Sequence, residues 1–515
     1  MPISFNVVAE LSPRKPGAGR FPRMRFPRSA GILLHPTSLP GPNGIGELGP
    51  EALRFLDLLA EAGVTLWQML PLGPTGYGNS PYQCFSTFAG NPLLIHAPDD
   101  PAVFPGDRVD YAGVISHKRV LLRRMTGALV PDDWYRSFVT EQSAWLEDYA
   151  LFMALKEAHG GVAWTDWDPG AALRDPTALD GWRAKLAGEI EHYRREQALF
   201  FAQFGALRLA CRERGIRLMG DVPIYVAHDS ADVWVNRRLF KLDDHGRLLV
   251  QAGVPPDYFS ATGQLWGNPI YDWDAMKRSG YDWWIQRMRS AFELFDLIRL
   301  DHFRGFDAYW EVPGSDQTAE HGSWVPGPGL PLFEALTEAL GLLPIVAENL
   351  GVITPEVEAL REKLGYPGMS ILQFAFGADQ RANTFLPHTY SRSLVVYTGT
   401  HDNDTTVGWW RSTGTADSTR SDAQVLKEKD FALRYLAADG SEMHWTLMRT
   451  ALASVADTAI IPLQDVLGLG SEARMNLPGR ESGNWEFRFS FDQLGEGTIA
   501  RLRSLVELYG RTPAE

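Results

Sequence analysis

The sequence contains few cysteines and no long apolar run. Of 515 residues only Cys84 and Cys211 are cysteine, which is too few for a disulfide framework and is typical of a reducing compartment. No apolar run approaches the roughly 18 residues that a membrane-spanning helix needs. Residues 1–28 contain six Lys and Arg but lack the apolar core of a secretory signal. We therefore predict a cytoplasmic protein without a membrane anchor, with residues 1–28 as a flexible tail.

The sequence also lacks an excess of positive charge. The formal net charge is −14 and the isoelectric point is near 5.4, so the surface as a whole repels nucleic acid and anionic membranes. Neither HExxH nor paired cysteine motifs occur in the chain, which argues against a zinc site. We predict no nucleic-acid partner and no membrane partner.

Aromatic residues, in contrast, are abundant. The chain has 26 Phe, 16 Tyr and 17 Trp, with 45% hydrophobic and 22% charged residues. The overall balance is that of a soluble globular protein with a large core. The aromatic residues are explained either by core filling or by flat faces for an uncharged ligand such as a sugar.

Short apolar runs recur along the chain and alternate with amphipathic segments. Such runs are typical of strands buried on both faces, as in a parallel sheet. Eight strands with intervening helices indicate an α/β fold of the (β/α)8 TIM barrel type, and a doubly wound open sheet is the alternative. The eight runs are 31–35, 65–72, 217–226, 297–301, 344–349, 369–376, 393–400 and 459–465.

The spacing of the runs is uneven, which predicts two insertions. About 145 residues separate the second run from the third, far more than a normal strand-to-helix connection. We place insertion subdomains at about 73–215 and 228–281 within a catalytic barrel of residues 29–515. The segment FKLDDHGRLLV (240–250) in the second insertion is predicted to form a β-hairpin.

Four acidic residues lie in or just after four of the runs. They are Asp221, Asp301, Glu348 and Asp402, and in a barrel they would converge on the carboxyl-terminal face, where active sites lie. Arg299 precedes Asp301 by two residues, so both side chains project from one face of the strand and the guanidinium would keep Asp301 ionised.

Glu348 emerges from an apolar strand, where desolvation would raise its pKa and suit a general acid. One ionised and one protonated carboxyl group is the arrangement of a glycosidase-type site. The cluster around Asp402, which includes His401, Asn403 and Asp404, also permits a site for a hard cation.

Several longer stretches resemble the 4-alpha-glucanotransferases of the amylomaltase type, relatives of the α-amylase superfamily. The resemblance extends from about residue 29 to the end of the chain, in the family order. It rests on GILLHPTSLPGPNGIGELG (31–49), GNSPYQCFSTFAGNP (78–92), GDVPIYVAHDSADVW (220–234), VPPDYFSATGQLWGNPIYDW (254–273), RLDHFRGF (299–306), AENLGVITPEV (347–357) and YTGTHDNDTT (397–406).

This resemblance implies a barrel without a separate C-terminal β domain, and transfer of α-1,4-glucan segments with retained configuration. It implies no cofactor and no obligatory metal, and α-1,4-glucans and maltooligosaccharides as substrates. Asp301 resembles the family nucleophile, Glu348 the acid/base, and Asp402 the third acid. The implied substrate-binding residues are Asp221, Arg299, His302 and His401, the aromatic platform Tyr82, and Tyr258, Gln264 and Trp266 in a flexible loop over the acceptor region.

Alternatives remain open at this point. An α-amylase-like hydrolase would use the same three acids, and a non-catalytic carbohydrate-binding barrel would keep the aromatic residues. The chain has Asn349 after the glutamate, where the family usually has aspartate. This departure could alter the titration of Glu348.

Overall fold

The computed structural model describes residues 21, 24–98, 103–256, 262–377, 380–413, 421–480 and 482–512. These residues contain two sheets with helices around them. The strands are β1 Ser29–Leu33, β2 Leu66–Gln68, β3 Arg217–Val222, β4 Val250–Val254, β5 Gln264–Pro269, β6 Leu297–Leu300, β7 Ala308–Pro313, β8 Ser323–Pro326, β9 Ile345–Ala347, β10 Gly368–Ile371, β11 Leu394–Tyr397 and β12 Thr458–Pro462.

The helices lie mostly between the strands. They are α1 Pro50–Glu61, α2 Tyr111–Ala128, α3 Asp133–Glu141, α4 Ser143–Ala158, α5 Pro169–Ala172, α6 Pro176–Lys185, α7 Ala187–Glu213, α8 Ala231–Val235, α9 Trp273–Arg278, α10 Asp282–Leu294, α11 Leu330–Leu340, α12 Pro355–Leu364, α13 Thr406–Arg411, α14 Asp422–Leu436, α15 Met443–Ala453, α16 Leu463–Leu467 and α17 Glu496–Leu508.

Eight strands form a parallel sheet in the order β10-β11-β12-β1-β2-β3-β6-β9. The amide of Ala347 in β9 donates to the carbonyl of Pro367, just before β10 (2.9 Å), which brings the two edges together. Nearly every residue of these strands is buried, because side chains on one face fill the barrel and those on the other pack beneath helices. The prediction of a (β/α)8 barrel is confirmed, and each of the eight apolar runs overlaps one of its strands.

The strands are shorter than the runs at their carboxyl ends. The run 393–400, for example, leaves the sheet after Tyr397, and the run 217–226 leaves it after Val222. The remaining apolar residues continue into buried loops at the carboxyl-terminal face. Hydrophobicity therefore predicted burial correctly at these positions but overextended the strands. No named strand follows β12 among the described residues.

The long connections carry additional structure. Helices α2–α7 lie between β2 and β3. A second sheet, antiparallel and in the order β5-β4-β7-β8, is assembled from two connections, since β4 and β5 follow β3 whereas β7 and β8 follow β6. The subdomain boundaries at 73–215 and 228–281 stay predictions.

The hairpin predicted at residues 240–250 forms as a short antiparallel turn without two named strands. A bridge joins Leu242 and Leu248 around a turn at Gly246, where φ is +82°. The amide of Asp243 also donates to the carbonyl of Arg247 at 2.9 Å, and the amide of Leu249 donates to that of Lys241 at 3.2 Å. Val250 instead begins β4 and pairs with Pro313 of β7. The four-stranded sheet thus begins at the last residue of the expected hairpin.

The amino-terminal end of the barrel is closed by residues that precede β1 and follow α17. Phe26 is buried, and Arg28 donates hydrogen bonds to the carbonyls of Leu452, Ser454, Ala456 and Tyr509. The tail is predicted over residues 1–28. Its residues 1–20, 22 and 23 lie outside the described residues, whereas its last residues pack on the barrel.

Candidate active site

The four acidic residues meet at the carboxyl-terminal face of the barrel. Asp221 is in β3, Asp301 directly follows β6, Glu348 directly follows β9, and Asp402 lies five residues after β11. Leu300 pairs with Ala347 in the sheet, so the next residues, Asp301 and Glu348, are neighbours across adjacent strands. Such strands lie about 4.8 Å apart, which brings the two carboxyl groups to one site.

Arg299 joins two of these carboxylates. Its Nη1 donates to Oδ2 of Asp221 at 2.6 Å, and its Nη2 lies 2.7 Å from Oδ1 of Asp301. The alternation of side chains along β6 places Arg299 and Asp301 on one face, as the sequence predicted. Burial disfavours the guanidinium, but the carboxylates of Asp221 and Asp301 raise the pKa of Arg299 well above its usual value. The cation is therefore permanent. Burial raises the pKa of Asp221, and the charge of Arg299 opposes that rise.

Glu348 is held by backbone amides. Its Oε2 accepts from the amide of His302 at 2.8 Å, and its Oε1 accepts from the amide of Leu350 at 2.7 Å. His302 has a left-handed backbone, with φ at +49°, at the turn that follows Asp301. Burial raises the pKa of Glu348 to about 7, against the opposing charge of Arg299. The direction is the one expected for a carboxyl group on an apolar strand, and it suits a group that must both donate and accept a proton near neutral pH.

Asp402 is more open to solvent, with 46% of its side chain exposed. Its Oδ1 accepts from Nδ2 of Asn476 at 2.6 Å and lies 3.4 Å from Nε2 of His401. Arg474 donates to the Asp402 carbonyl, also at 2.6 Å. The sequence analysis missed Arg474 and Asn476. They lie 12 and 14 residues after the end of β12, beyond α16, so the rule that drew attention to acids at the carboxyl ends of strands does not reach them.

Aromatic side chains flank the acids. The ring of Tyr82 stacks on His401, with centroids 5.2 Å apart and planes 19° from parallel, and its hydroxyl donates to Oδ2 of Asp221 at 2.9 Å. Trp266 contacts His302 edge to face at 4.9 Å. Burial lowers the pKa of His302 to about 4, so this imidazole is neutral at pH 7. The acids thus lie between flat aromatic faces that suit a sugar ring.

Gln264 and Trp266 lie in β5 of the four-stranded sheet, so the expectation of a flexible loop is wrong for these two residues. Gln264 accepts a hydrogen bond from the Trp266 indole at 3.3 Å, and Gln83 donates to the Trp266 carbonyl at 3.5 Å. Tyr258 lies outside the described residues. The structure therefore brings together every predicted site residue that it describes, by direct contacts or through neighbouring residues of the same strand.

Asn349, the departure from the family pattern, points away from the acid. Its Nδ2 donates to Glu358 in α12 at 2.7 Å, and its Oδ1 accepts from the amide of Met369 in β10 at 2.8 Å. It therefore connects the end of β9 to its neighbours. Neither contact involves the Glu348 carboxyl group.

The other polar residues near Asp402 stabilise their own loop. Asn403 accepts from the amide and hydroxyl of Thr400, and Asp404 accepts from the Thr405 amide and the Ser471 hydroxyl. Among the residues that the structure describes, no group of three or more His, Cys, Asp or Glu could hold a metal ion.

The pKa of Glu348 leads to an expected pH dependence. We expect kcat/KM to fall above about pH 7, because a general acid must be protonated in the free enzyme and Glu348 loses that proton through its pKa of about 7. Initial rates from pH 5 to 9 measure this limb. It should persist in a His401→Asn variant, whatever its residual rate. A profile that stays flat to pH 9 would contradict the assignment.

Taken together, the eight-stranded barrel, the neighbouring carboxyl groups and the aromatic walls define an enzyme that acts on glycosidic bonds. The family model described as 4-alpha-glucanotransferase matches residues 34–493. The chain is 50% identical to a 4-alpha-glucanotransferase of Synechocystis sp., covering 94% of this chain and 98% of that protein. It is 51% identical to the Thermus thermophilus 4-alpha-glucanotransferase, covering 94% and 99%.

Solved structures give the same result. The amylomaltase from Streptococcus agalactiae, determined in complex with acarbose, superimposes with a TM-score of 0.88 at 39% identity, covering 94% of this chain and all of that one. The chain therefore belongs to the 4-alpha-glucanotransferase family. The predicted family and transferase class are confirmed, and the hydrolase alternative is not favoured. Among the described residues, no helix combines the length and apolarity needed to cross a bilayer.

Proposed function

We propose that the chain moves a segment of an α-1,4-glucan from a donor to the 4-hydroxyl group of an acceptor glucose or glucan, with retention of configuration. Asp301 is the nucleophile and Glu348 the acid/base. The observation that carries the assignment is the contrast between two neighbouring carboxyl groups. Arg299 contacts Asp301 at 2.7 Å, whereas burial gives Glu348 a pKa of about 7. Retention by double displacement requires such a pair, about 5–5.5 Å apart.

In the first step Asp301 attacks the anomeric carbon of the donor while Glu348 gives its proton to the glycosidic oxygen. The carbon–oxygen bond to the leaving glucan breaks, and that glucan departs with a free 4-hydroxyl group. A glucosyl ester of Asp301 and an ionised Glu348 remain. The amides of His302 and Leu350 stabilise the new carboxylate, since both already donate to it.

In the second step the 4-hydroxyl group of the acceptor gives its proton to Glu348 and attacks the anomeric carbon. The ester bond breaks, which restores ionised Asp301 and protonated Glu348. Asp402, fixed by Asn476 at 2.6 Å, is placed to accept hydrogen bonds from sugar hydroxyl groups and to stabilise the positive charge of the transition state.

The fate of the ester distinguishes transfer from hydrolysis. Water is abundant, but an acceptor bound in near-attack geometry reaches effective molarities of roughly 10⁵ M or more. Trp266 and Tyr82 offer the flat surfaces that such binding needs. Both are only partly buried, so a ligand can reach them.

Incubation with maltotriose tests the proposal. We expect glucose and a ladder of longer maltodextrins, with little net gain in reducing ends, because each donor bond that breaks is replaced by a new glycosidic bond. Products are resolved by chain length and reducing ends are counted in parallel. Only shorter sugars, with reducing ends rising in step with substrate loss, would contradict the proposal.

A cytoplasmic location and α-1,4-glucans and maltooligosaccharides as binding partners complete the proposal. The location is supported by Cys84 and Cys211, which are both buried and unpaired, as suits a reducing compartment.

A further inference from the structure

Trp485 has an unusual backbone conformation. Its φ is +68°, in the left-handed region, which bulky residues rarely adopt because the Cβ atom crowds the backbone. Glycine takes this conformation freely, and Gly483, two residues earlier, does so with φ at +78°. Only 5% of Trp485 is exposed. The large side chain is therefore held where the backbone alone would favour glycine, and such strain is concentrated at functional sites.

The indole of Trp485 packs beside the sugar-facing ring pair. Its centroid lies 5.9 Å from Tyr82 and 6.0 Å from His401, while those two rings stack on each other at 5.2 Å. Tyr82 in turn donates to Asp221, and His401 lies beside Asp402. The indole is thus the buried support of a pair of rings that touches two of the four site acids.

The backbone of Trp485 is fixed from two sides. Its amide donates to the carbonyl of Met475 at 2.7 Å, and its carbonyl accepts from the Tyr111 hydroxyl at 2.9 Å. Met475 lies between Arg474 and Asn476, the two residues that hold Asp402. Tyr111 is the first residue of α2, in the first long connection. A continuous set of contacts therefore links this connection to the third acid.

We propose that Trp485 is a positioning residue for glucan transfer, fixed in its strained conformation by Tyr111. Its indole sets the place of the Tyr82–His401 pair, and its amide steadies the segment that holds Asp402. This inference rests on the proposed function, because it assumes that Tyr82, His401 and Asp402 contact the sugar. A residue that served only to fill the core would affect stability but would not change kcat in the folded enzyme.

A glycine substitution distinguishes the effect of the indole from the effect of the left-handed backbone conformation. Trp485→Gly keeps the left-handed conformation without strain and removes only the ring. We expect kcat for maltotriose disproportionation to fall roughly 100-fold, the scale of a misplacement of about 1 Å at a reacting centre, with KM changed less than about threefold. Trp485→Phe restores a ring, and we expect it to recover about tenfold of the loss. Trp445→Phe, a tryptophan of similar burial on α15, is the matched control and should keep kcat.

The tyrosine hydroxyl provides a test that leaves the core volume unchanged. We expect Tyr111→Phe to lower kcat about threefold to tenfold, because the hydrogen bond to the strained carbonyl is lost. Tyr149→Phe is the control, since its hydroxyl is buried without a partner in the described structure. Thermal melts test whether each variant is folded at the assay temperature. If Trp485→Gly does not fold, the kcat values of Tyr111→Phe and Trp485→Phe test the positioning role instead.

Near-wild-type kcat in the folded Trp485→Gly and Tyr111→Phe variants would overturn the inference, and so would an equal loss in the control variants. Asp301→Asn, assayed in parallel, separates this failure from that of the proposed function. If Asp301→Asn is inactive while the Trp485 variants are normal, only the positioning role is wrong. If Asp301→Asn is active, the proposed mechanism itself is wrong.

Discussion

Replacing Asp301 by asparagine should lower the turnover of maltotriose by about 10⁴-fold or more, the scale seen when a covalent nucleophile is removed. The amide that replaces the carboxylate cannot form the glucosyl ester. Asp301 is 26% exposed and its Oδ1 contacts Arg299, so asparagine fits the same space and the fold should be retained. The rate is measured as glucose release, and the fold by circular dichroism and thermal melting.

Asp307→Asn is the matched control. Asp307 lies six residues further along the same segment, at the end of the turn that follows Asp301, and it is likewise partly buried. This control removes a negative charge near the end of β6 but keeps the nucleophile, so it distinguishes the effect of the charge from the effect of losing the nucleophile. We expect the control to keep turnover within a few-fold of wild type. Comparable rates for the two variants would remove Asp301 from the mechanism.

Replacing Arg299 by methionine should abolish activity and destabilise the fold by about 3–5 kcal/mol, as when one partner of a buried ion pair is removed. Asp221 is fully buried, with Arg299 as its cationic partner at 2.6 Å and the Tyr82 hydroxyl as its other contact. Without the guanidinium, the buried carboxylate would lack a countercharge. Denaturation in urea measures the loss of stability.

Two companion variants identify the cause of the stability loss in Arg299→Met. Arg501→Met removes a bidentate but exposed ion pair with Glu442, and we expect a change of about 1 kcal/mol or less. Adding Asp221→Asn to Arg299→Met removes the uncompensated charge and should recover some of the stability, though not the activity. A double variant less stable than Arg299→Met alone would show that an unpaired carboxylate is not the source of the loss.

Local patterns in the sequence were sufficient to predict the barrel. Each apolar run overlaps a strand, because a strand buried on both faces must be apolar throughout, whatever its partners. The shared face of Arg299 and Asp301 follows from the alternation of side chains in β6. The raised pKa of Glu348 follows from its place at the end of the apolar strand β9, where burial is the main cause. These properties depend on near neighbours along the chain.

Other features depend on contacts between distant segments. The Tyr82 hydroxyl meets Asp221 across 139 positions of sequence, and Asn476 meets Asp402 across 74. The four-stranded sheet combines two connections, since β4 and β5 follow β3 whereas β7 and β8 follow β6.

The sequence by itself determined the strands, the family and the acids that end the strands, since each is written in a local pattern or motif. Only the tertiary structure decided which residues hold those acids. Arg474, Asn476 and Trp485 reach Asp402 and His401 because the pairing of β11 with β12 brings the segment after β12 beside the loop after β11. No local pattern marks these partners, because their contacts exist only once strands far apart in sequence have paired.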